Sequence, residues 1–596
     1  MVPRLSKEGE RMNIHYQEND QAFHISFFQQ SDQIKRDLAT MYQVPEDPFV
    51  LSVPAWRFFN HFEDFSSFVL LRNLKDKVTF SDHARTVLKE TKKKRKETLT
   101  PALSMEITKE EIELSLLQLS FKRELKSYQM RNLQFLLQKP VGADFSVPGS
   151  GKSTTALSLY ALRKKQEPSL KLFIVCPKNV FGSWEEQNEE CFHSPFSVCR
   201  LEGGILKVNA LLTGTFDIFL MTYEQLLTAF SSVAYFLKQH HVSLYIDESH
   251  KMKGGIHSKI GQTLLNLSHL PRYKLLMSGT PMPNSEEDLV SQYHFLCPTH
   301  KIDATTVTKA IQSLYIRTTK QEMNLPAFSI KRTLAKMNPT YHALYQKLLL
   351  KELEQIQYES ADSLEALKKI NRCAVKLIQL ASNPTLLLHA SPELALLTEF
   401  QEATKELSPK LLIAVARAFE LAAKGEKLVI WTTFVGNIRF LEQLLAPLNP
   451  VTIFGETPTG DEETWGTREA KIKAFKKQKN VHVLIANPQT ASEGISLHKE
   501  CQYQLFIDRN YDARLFEQAM NRTHRVGLPK DKPVIIELLL LEDSVDENVD
   551  IRLDIKLGNM YDVLNDTRLL QEDEYSEMNY DDANDLLLSI LSKKEA

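Results

Sequence analysis

The chain has 596 residues, 43% hydrophobic and 25% charged, which exceeds what one core supports and predicts about two to four ordinary globular domains. A formal net charge of −2 excludes a global attraction to polyanions, so any nucleic-acid contact needs local basic patches, and six dispersed cysteines without a Cys-x-x-Cys pair exclude structural zinc and a disulfide framework. No apolar run approaches bilayer length and the start, Met1 to Asn13, is charged rather than signal-like, so no membrane contact is expected and the location expected is intracellular, cytoplasmic or nuclear.

Residues 1–120 read as an N-terminal accessory domain, with aromatic-rich stretches Phe23–Phe28 and Trp56–Phe59 that suggest a small separate core. It ends in a basic linker, Lys92–Lys96, which reads as a solvated interdomain face before it reads as a grip on phosphates or a nuclear address. Over residues 121–310 apolar strand-like runs alternate with helical patterns, the signature of a doubly wound parallel sheet. Within this lobe stands Val147-Pro148-Gly149-Ser150-Gly151-Lys152-Ser153-Thr154. A Gly-rich turn opening a helix points backbone N–H groups at an anion; the lysine ammonium reaches outer phosphates and the Ser153 hydroxyl holds Mg²⁺. The strict pattern wants glycine where Ser146 stands. Gly149, Ser150, Gly151, Lys152, Ser153 and Thr154 are therefore the candidate phosphate-binding residues. Two apolar runs, Lys171–Cys176 and Val242–Asp247, read as buried strands, and the second ends in Asp247-Glu248. A carboxylate there can bind Mg²⁺ directly or through water, and its neighbour can orient an attacking water, so Asp247 is assigned to the metal and Glu248 to the water. Residues 311–404 turn helical and read as an insertion or linker. Alternation resumes at Lys427–Trp431, Val481–Ala486 and Gln504–Asp508, giving a second α/β lobe over 405–550. The tail, 551–596, is acidic; Leu586, Leu587, Ile590 and Leu591 fall at helix spacing and predict a terminal amphipathic helix.

Together these motifs resemble the superfamily-two helicase-like ATPases, and more narrowly the Swi/Snf-like group of chromatin remodellers and DNA translocases, over about residues 125–550. The resemblance implies two RecA-like doubly wound lobes with a helical insertion and a small N-terminal domain, ATP and Mg²⁺ as cofactors, and DNA, duplex before any other form, as the polymer. Leu125-Lys126-Ser127-Tyr128-Gln129 looks like the adenine-reading element, with Gln129 on the base edge. Ile174–Pro177 with Trp184, and Asp217–Glu224, resemble the strand-contacting loops of the first lobe, and Trp431-Thr432-Thr433-Phe434 one of the second. This implies nucleic-acid contacts at Lys178, Thr222, Thr432 and Thr433. Met277–Asn284, with Ser278-Gly279-Thr280-Pro281 followed by Pro283-Asn284, is the most specific mark of the group and implies a coupling role for Ser278, Gly279 and Thr280. Leu377–Pro384 resembles the element ending a helix ahead of the second lobe. Gly494 falls in the segment matching the group's glycine-rich nucleotide element, here Ala491–Leu497. Arg522 and Arg525, three apart on an expected helix introduced by Gln518, fit an arginine-finger element. Departures from the group's pattern are Ser249 for alanine, the altered Ala491–Leu497 segment, Asn521 for glycine and Leu528 for glutamine.

The leading expectation is a nucleic-acid-dependent ATPase that translocates on double-stranded DNA as its lobes close on ATP. Alternatives are a strand-separating DNA or RNA helicase and a non-hydrolysing, ATP-gated nucleic-acid scaffold. Protein partners are expected through the N-terminal region or the C-terminal helix.

Overall fold

The structure, a computed structural model, describes residues 11–99, 108–252, 254–281, 287–323, 328–356, 364–388, 392–460, 463–491, 497–524, 528 and 533–563. These divide into two compact units: the first holds the residues up to Val147 and Gly151–Thr318, the second Pro148–Ser150 and those from Thr319 onward. Among the described residues no helix is long and apolar enough to cross a membrane.

The first unit begins with a four-stranded sheet in the order β3-β2-β1-β4, where β1 is Arg11–Gln17, β2 Ala22–Phe28, β3 Val50–Pro54 and β4 Val78–Phe80. β1 alternates strictly, burying Met12, Ile14 and Tyr16 while Arg11, Asn13, His15 and Gln17 stay exposed, as a sheet with one wet face requires. Its core stacks Phe23 on Phe58, ring centroids 4.2 Å apart. This sheet is seated on the rest of the unit: Tyr16 Oη lies 2.8 Å from His269 Nε2, and Asn60 Nδ2 3.1 Å from His294 Nε2. The basic run expected to be a linker lies instead inside one helix, Asp82–Leu99. No glycine or proline interrupts that segment, and Ala84 and Thr91 are buried.

The larger sheet of this unit has seven strands in the order β11-β5-β10-β9-β6-β8-β7. They are β5 (Val141–Asp144), β6 (Lys171–Val175), β7 (Val198–Arg200), β8 (Ile218–Met221), β9 (Val242–Asp247), β10 (Tyr273–Met277) and β11 (Tyr315–Ile316). Every pairing is parallel. Helices on both faces leave the central strands no wet side, so β6, β8, β9 and β10 are nearly continuous apolar runs. Met277 pairs with Asp144 on one side and Asp247 on the other. The carboxyl ends of β5, β10 and β9 therefore stand side by side, the place where open α/β sheets bind ligands.

The second unit carries a six-stranded parallel sheet in the order β12-β17-β16-β13-β15-β14. Its strands are β12 (Phe328–Ala335), β13 (Leu428–Trp431), β14 (Val451–Ile453), β15 (Val483–Ala486), β16 (Tyr503–Phe506) and β17 (Val534–Leu541). The stretch read as helical from sequence does hold the helices Pro339–Ile356 and Leu364–Ser382, but it also holds β11, which pairs with β5 in the first unit, and β12, which completes this sheet against β17. The two parallel sheets and the helical stretch between them are the two RecA-like lobes and insertion that the resemblance implied. The amphipathic helix expected at Leu586–Leu591 lies outside the described residues.

Candidate nucleotide site and nucleic-acid interface

The loop leaving β5 turns on Gly149 and Gly151, whose φ values of +84° and +85° lie in the left-handed region that glycine reaches without strain. Gly151 caps the helix Lys152–Gln166, so the first backbone N–H groups of that helix face the loop. A Cβ on Gly151 would stand 2.3 Å from Gln129 Nε2. The amide of Gln129 thus lies over the turn, while its Oε1 accepts from the Lys126 N–H at 2.9 Å. Lys152 Nζ donates to the carbonyls of Ser146 at 2.7 Å and Val147 at 3.4 Å. Ser150 is buried, Ser153 partly exposed in the first helical turn, and Thr154 buried with its hydroxyl between Arg123 Nη1 at 3.0 Å and Gln187 Oε1 at 3.2 Å.

Ser146, which breaks the strict loop pattern, has work of its own. Its hydroxyl accepts from Asn132 Nδ2 at 3.0 Å and from the Thr318 N–H at 2.9 Å. Its own N–H donates to Asp144 Oδ1 at 3.0 Å. Burial raises the Asp144 carboxyl pKa, and the Lys152 charge offsets part of that rise.

Asp247 closes β9 and receives two N–H groups, Trp184 Nε1 on Oδ2 and the Glu248 backbone on Oδ1, both at 3.0 Å. Desolvation, then the Glu248 charge, pushes its pKa up to about 7, with Lys152 acting in the opposite sense. A carboxylate made this uncomfortable by a second acid is a natural partner for a cation. Glu248 has a φ of +57°, a left-handed conformation rare for a residue with a side chain and typical of functional sites. Tyr223 Oη holds the turn by donating to the carbonyls of Asp247 at 2.5 Å and Glu248 at 3.2 Å.

From the acid pair a polar chain runs to the next strand. His250 Nδ1 lies 3.3 Å from Glu248 Oε2 and 3.2 Å from Ser278 Oγ, and Ser278 Oγ accepts from the Thr280 N–H at 3.1 Å. Ser249 Oγ donates to Gln292 Oε1 at 2.8 Å, and Gln292 Nε2 reaches the Pro281 carbonyl at 2.5 Å. The serine that departs from the group's alanine is thus tied to the Ser278–Pro281 segment. Ser278 and Thr280 are buried. Arg123, Tyr223, Asn132 and Gln292 were not singled out from sequence. Only Tyr223, inside a quoted strand-contacting stretch, carried a signal there.

The residues of the first unit accordingly fit an ATP–Mg²⁺ group: the open floor at Gly151 that a side chain would fill, a helix N-terminus, one lysine, and two adjacent carboxylates.

The expected nucleic-acid contacts occupy different settings. Lys178 is exposed in the turn after β6, 3.4 Å from Glu202 Oε1. Thr222 follows β8 and caps the helix Tyr223–Thr228, accepting from the Gln225 N–H at 3.0 Å. In the second unit Thr432 is fully buried, its hydroxyl 2.6 Å from Asp508 Oδ2, and the Thr433 N–H lies 2.6 Å from Asp508 Oδ1. Asp508 also accepts from Ser382 Oγ at 2.8 Å, and Asn437 Nδ2 donates to Ser382 Oγ at 2.7 Å. Thr432 is therefore placed as an internal brace of its loop rather than on its surface.

Arg522 does not lie on the expected helix. That helix, Ala513–Met520, ends at Asn521, because Gln504 Nε2 takes the Met520 carbonyl at 2.7 Å and the Arg522 N–H turns back to Ala519 O at 3.0 Å. Arg522 is buried, its Nε 3.0 Å from the Gln518 carbonyl. Arg525 and Gly494 lie outside the described residues.

Residues 128–386 match a family described as the SNF2-related domain. Among curated proteins the chain is similar to human SWI/SNF-related matrix-associated actin-dependent regulator of chromatin subfamily A member 1, 23% identical over 482 residues, covering 75% of this chain and 44% of that protein. It is also similar to the ISWI chromatin-remodeling complex ATPase CHR11 of Arabidopsis thaliana, 22% identical over 483 residues, with 75% and 44% covered. The chain thus spans less than half the length of these relatives. A solved structure, the Sulfolobus solfataricus SWI2/SNF2 ATPase core in complex with dsDNA, aligns at 21% identity over 73% of this chain and 92% of that one, with a TM-score of 0.33. Residues 128–386 of this chain are thus similar to the SNF2-related domain.

Proposed function

We propose that this protein is a motor that translocates on double-stranded DNA, hydrolysing ATP when DNA is bound. Lys152 and the N–H groups around Gly149, Ser150 and Gly151 hold the phosphates, Gln129 reads the adenine edge, and Ser153 with Asp247 hold Mg²⁺. Bound ATP–Mg²⁺ supplies the phosphoanhydride whose cleavage drives the cycle. Glu248 accepts a hydrogen bond from the attacking water and orients it toward the outer phosphate. Arg522 and Arg525 supply positive charge from the second unit, and hydrolysis is coupled to closure of the two units.

The observation that carries the reading is the unbroken polar chain Glu248–His250–Ser278–Thr280. It joins the group that would handle water to a segment on the neighbouring strand, so a change at one is felt at the other. Duplex DNA as the polymer is supported by the relatives, a regulator of chromatin and a chromatin-remodeling ATPase by name, because the DNA of chromatin is a duplex.

The test is phosphate release measured in parallel with no polymer, single strand, duplex, fork and RNA. Duplex should stimulate turnover most, and Lys152→Ala and Arg525→Ala should each abolish the stimulation. Equal turnover with and without any polymer refutes the reading. Strand separation on a fork without triplex displacement on a blunt duplex would favour a helicase.

A further inference from the structure

The helix Asp82–Leu99 presents a row of cations that the nucleotide site does not use. Arg85, Lys89, Lys92, Lys93 and Lys96 are all exposed. Their spacing of i, i+4, i+7, i+8 and i+11 puts them on one face of the helix, over about 16 Å at 1.5 Å per residue. None has an ion-pair partner among the described residues. Of the helix's acids, Asp82 sits in the first turn, Glu90 falls off the row and Glu97 follows the last cation of the row.

The other face is held down. Ala84 and Thr91 are buried. Lys94 Nζ donates to the carbonyls of His269 at 2.8 Å, Leu270 at 3.0 Å and Pro271 at 3.4 Å, which uses all three of its protons. With Lys94 pinned inward, the helix cannot roll, and the row stays turned to solvent. Five cations kept rigidly adjacent repel one another unless an anion lies along them.

We infer that this face is a second contact for duplex DNA, gripping the phosphate backbone away from the strand-contacting loops; this rests on the DNA reading above. A phosphate backbone is a linear polyanion that suits a linear cation row and needs no apolar anchor. An acidic protein would need such an anchor, and no large apolar side chain is exposed among the described residues of this helix. The site is separate because Lys94 fixes the helix at the segment leading into the amino end of β10, whereas Lys178 and Thr222 follow the carboxyl ends of β6 and β8. In a parallel sheet these are opposite ends of the strands. The helix is therefore placed to hold another stretch of DNA than the one the loops touch.

The test compares the wild-type chain with the variant Lys89→Gln, Lys92→Gln, Lys93→Gln, Lys96→Gln, using a fluorescent blunt duplex of mixed sequence at about 50 to 200 mM salt. The plot of log affinity against log salt should flatten by about two to four units, and affinity at the lowest salt should fall about tenfold or more. DNA-free ATP turnover and the thermal midpoint should not change. Wild-type binding with the same slope and affinity in the variant overturns the second contact alone. No duplex binding by the wild type overturns the motor's DNA reading as well. An unchanged duplex slope with lost binding to poly-glutamate assigns the row to an acidic protein and overturns the proposal.

Discussion

Gly151 meets two independent demands, a φ of +85° and the Gln129 amide 2.3 Å from where a side chain would begin. Alanine there must strain the backbone and displace Gln129 together, of order 1–3 kcal/mol. Gly151→Ala should weaken nucleotide binding about tenfold while the protein stays folded. Titration with a fluorescent ATP analogue checks this, and wild-type affinity would show that the turn is not the phosphate cradle. At this scale much of the site was legible: lysine, acids and serines have few reasons to recur at that spacing. The left-handed Glu248 and the occupation of Ser146 by Asn132 and Thr318 were not. Both depend on partners remote in sequence, as Thr318 is from Ser146.

Among elements, the loop after β13 is braced from the end of β16. Asp508 is buried and accepts from Ser382 Oγ, Thr432 Oγ1, the Thr433 N–H and Asn437 Nδ2. All of these partners are donors, so replacing one carboxylate oxygen by an amide sets donor against donor in a buried site. Asp508→Asn should destabilise the second unit by about 2–4 kcal/mol and reduce DNA stimulation of turnover more than basal turnover. Urea unfolding and duplex-titrated phosphate release read the two effects; a variant as stable as wild type contradicts the brace. Three pieces quoted separately from the sequence, Leu377–Pro384, Trp431–Phe434 and Gln504–Asp508, are thus one hydrogen-bonded cluster. Strand periodicity located β13, β15 and β16, but β12, β14 and β17 went unread. β12 stands at the sheet edge next to a long helix, and its mixed sequence, FSIKRTLA, shows no buried run.

For the molecule as a whole, the N-terminal sheet is mounted on the first lobe through two buried histidines. Burial, then the charges of Lys94 and Lys274, lowers the pKa of His269 to about 3; burial, then His61 and His300, lowers that of His294 to about 4. Tyr16 gives its proton to Gln21 and so accepts from His269 Nε2, and Asn60 Nδ2 donates to His294 Nε2, which agrees with neutral rings. Because both histidines bind protons less readily when folded, the first unit keeps its full stability above pH 6.5 and loses it as pH falls toward 4. For His294 the loss is on the order of 3 kcal/mol across that window. His294→Gln should flatten the decline in thermal midpoint between about pH 6.5 and 4. A wild-type slope in that variant would show that the histidine is charged at the interface.

By itself the sequence determined the fold class and named the candidate residues for the chemistry. Phosphate-gripping turns, paired acids at a strand end and apolar runs buried on both sides are local patterns, decided within a few residues. Tertiary structure alone decided that the N-terminal sheet sits on the first lobe and that the Lys92–Lys96 run is a pinned helix. It also decided that Thr432 faces inward and that His250 links Glu248 to Ser278. Each of these depends on which distant groups satisfy a buried polar atom, and composition and periodicity carry no record of that pairing.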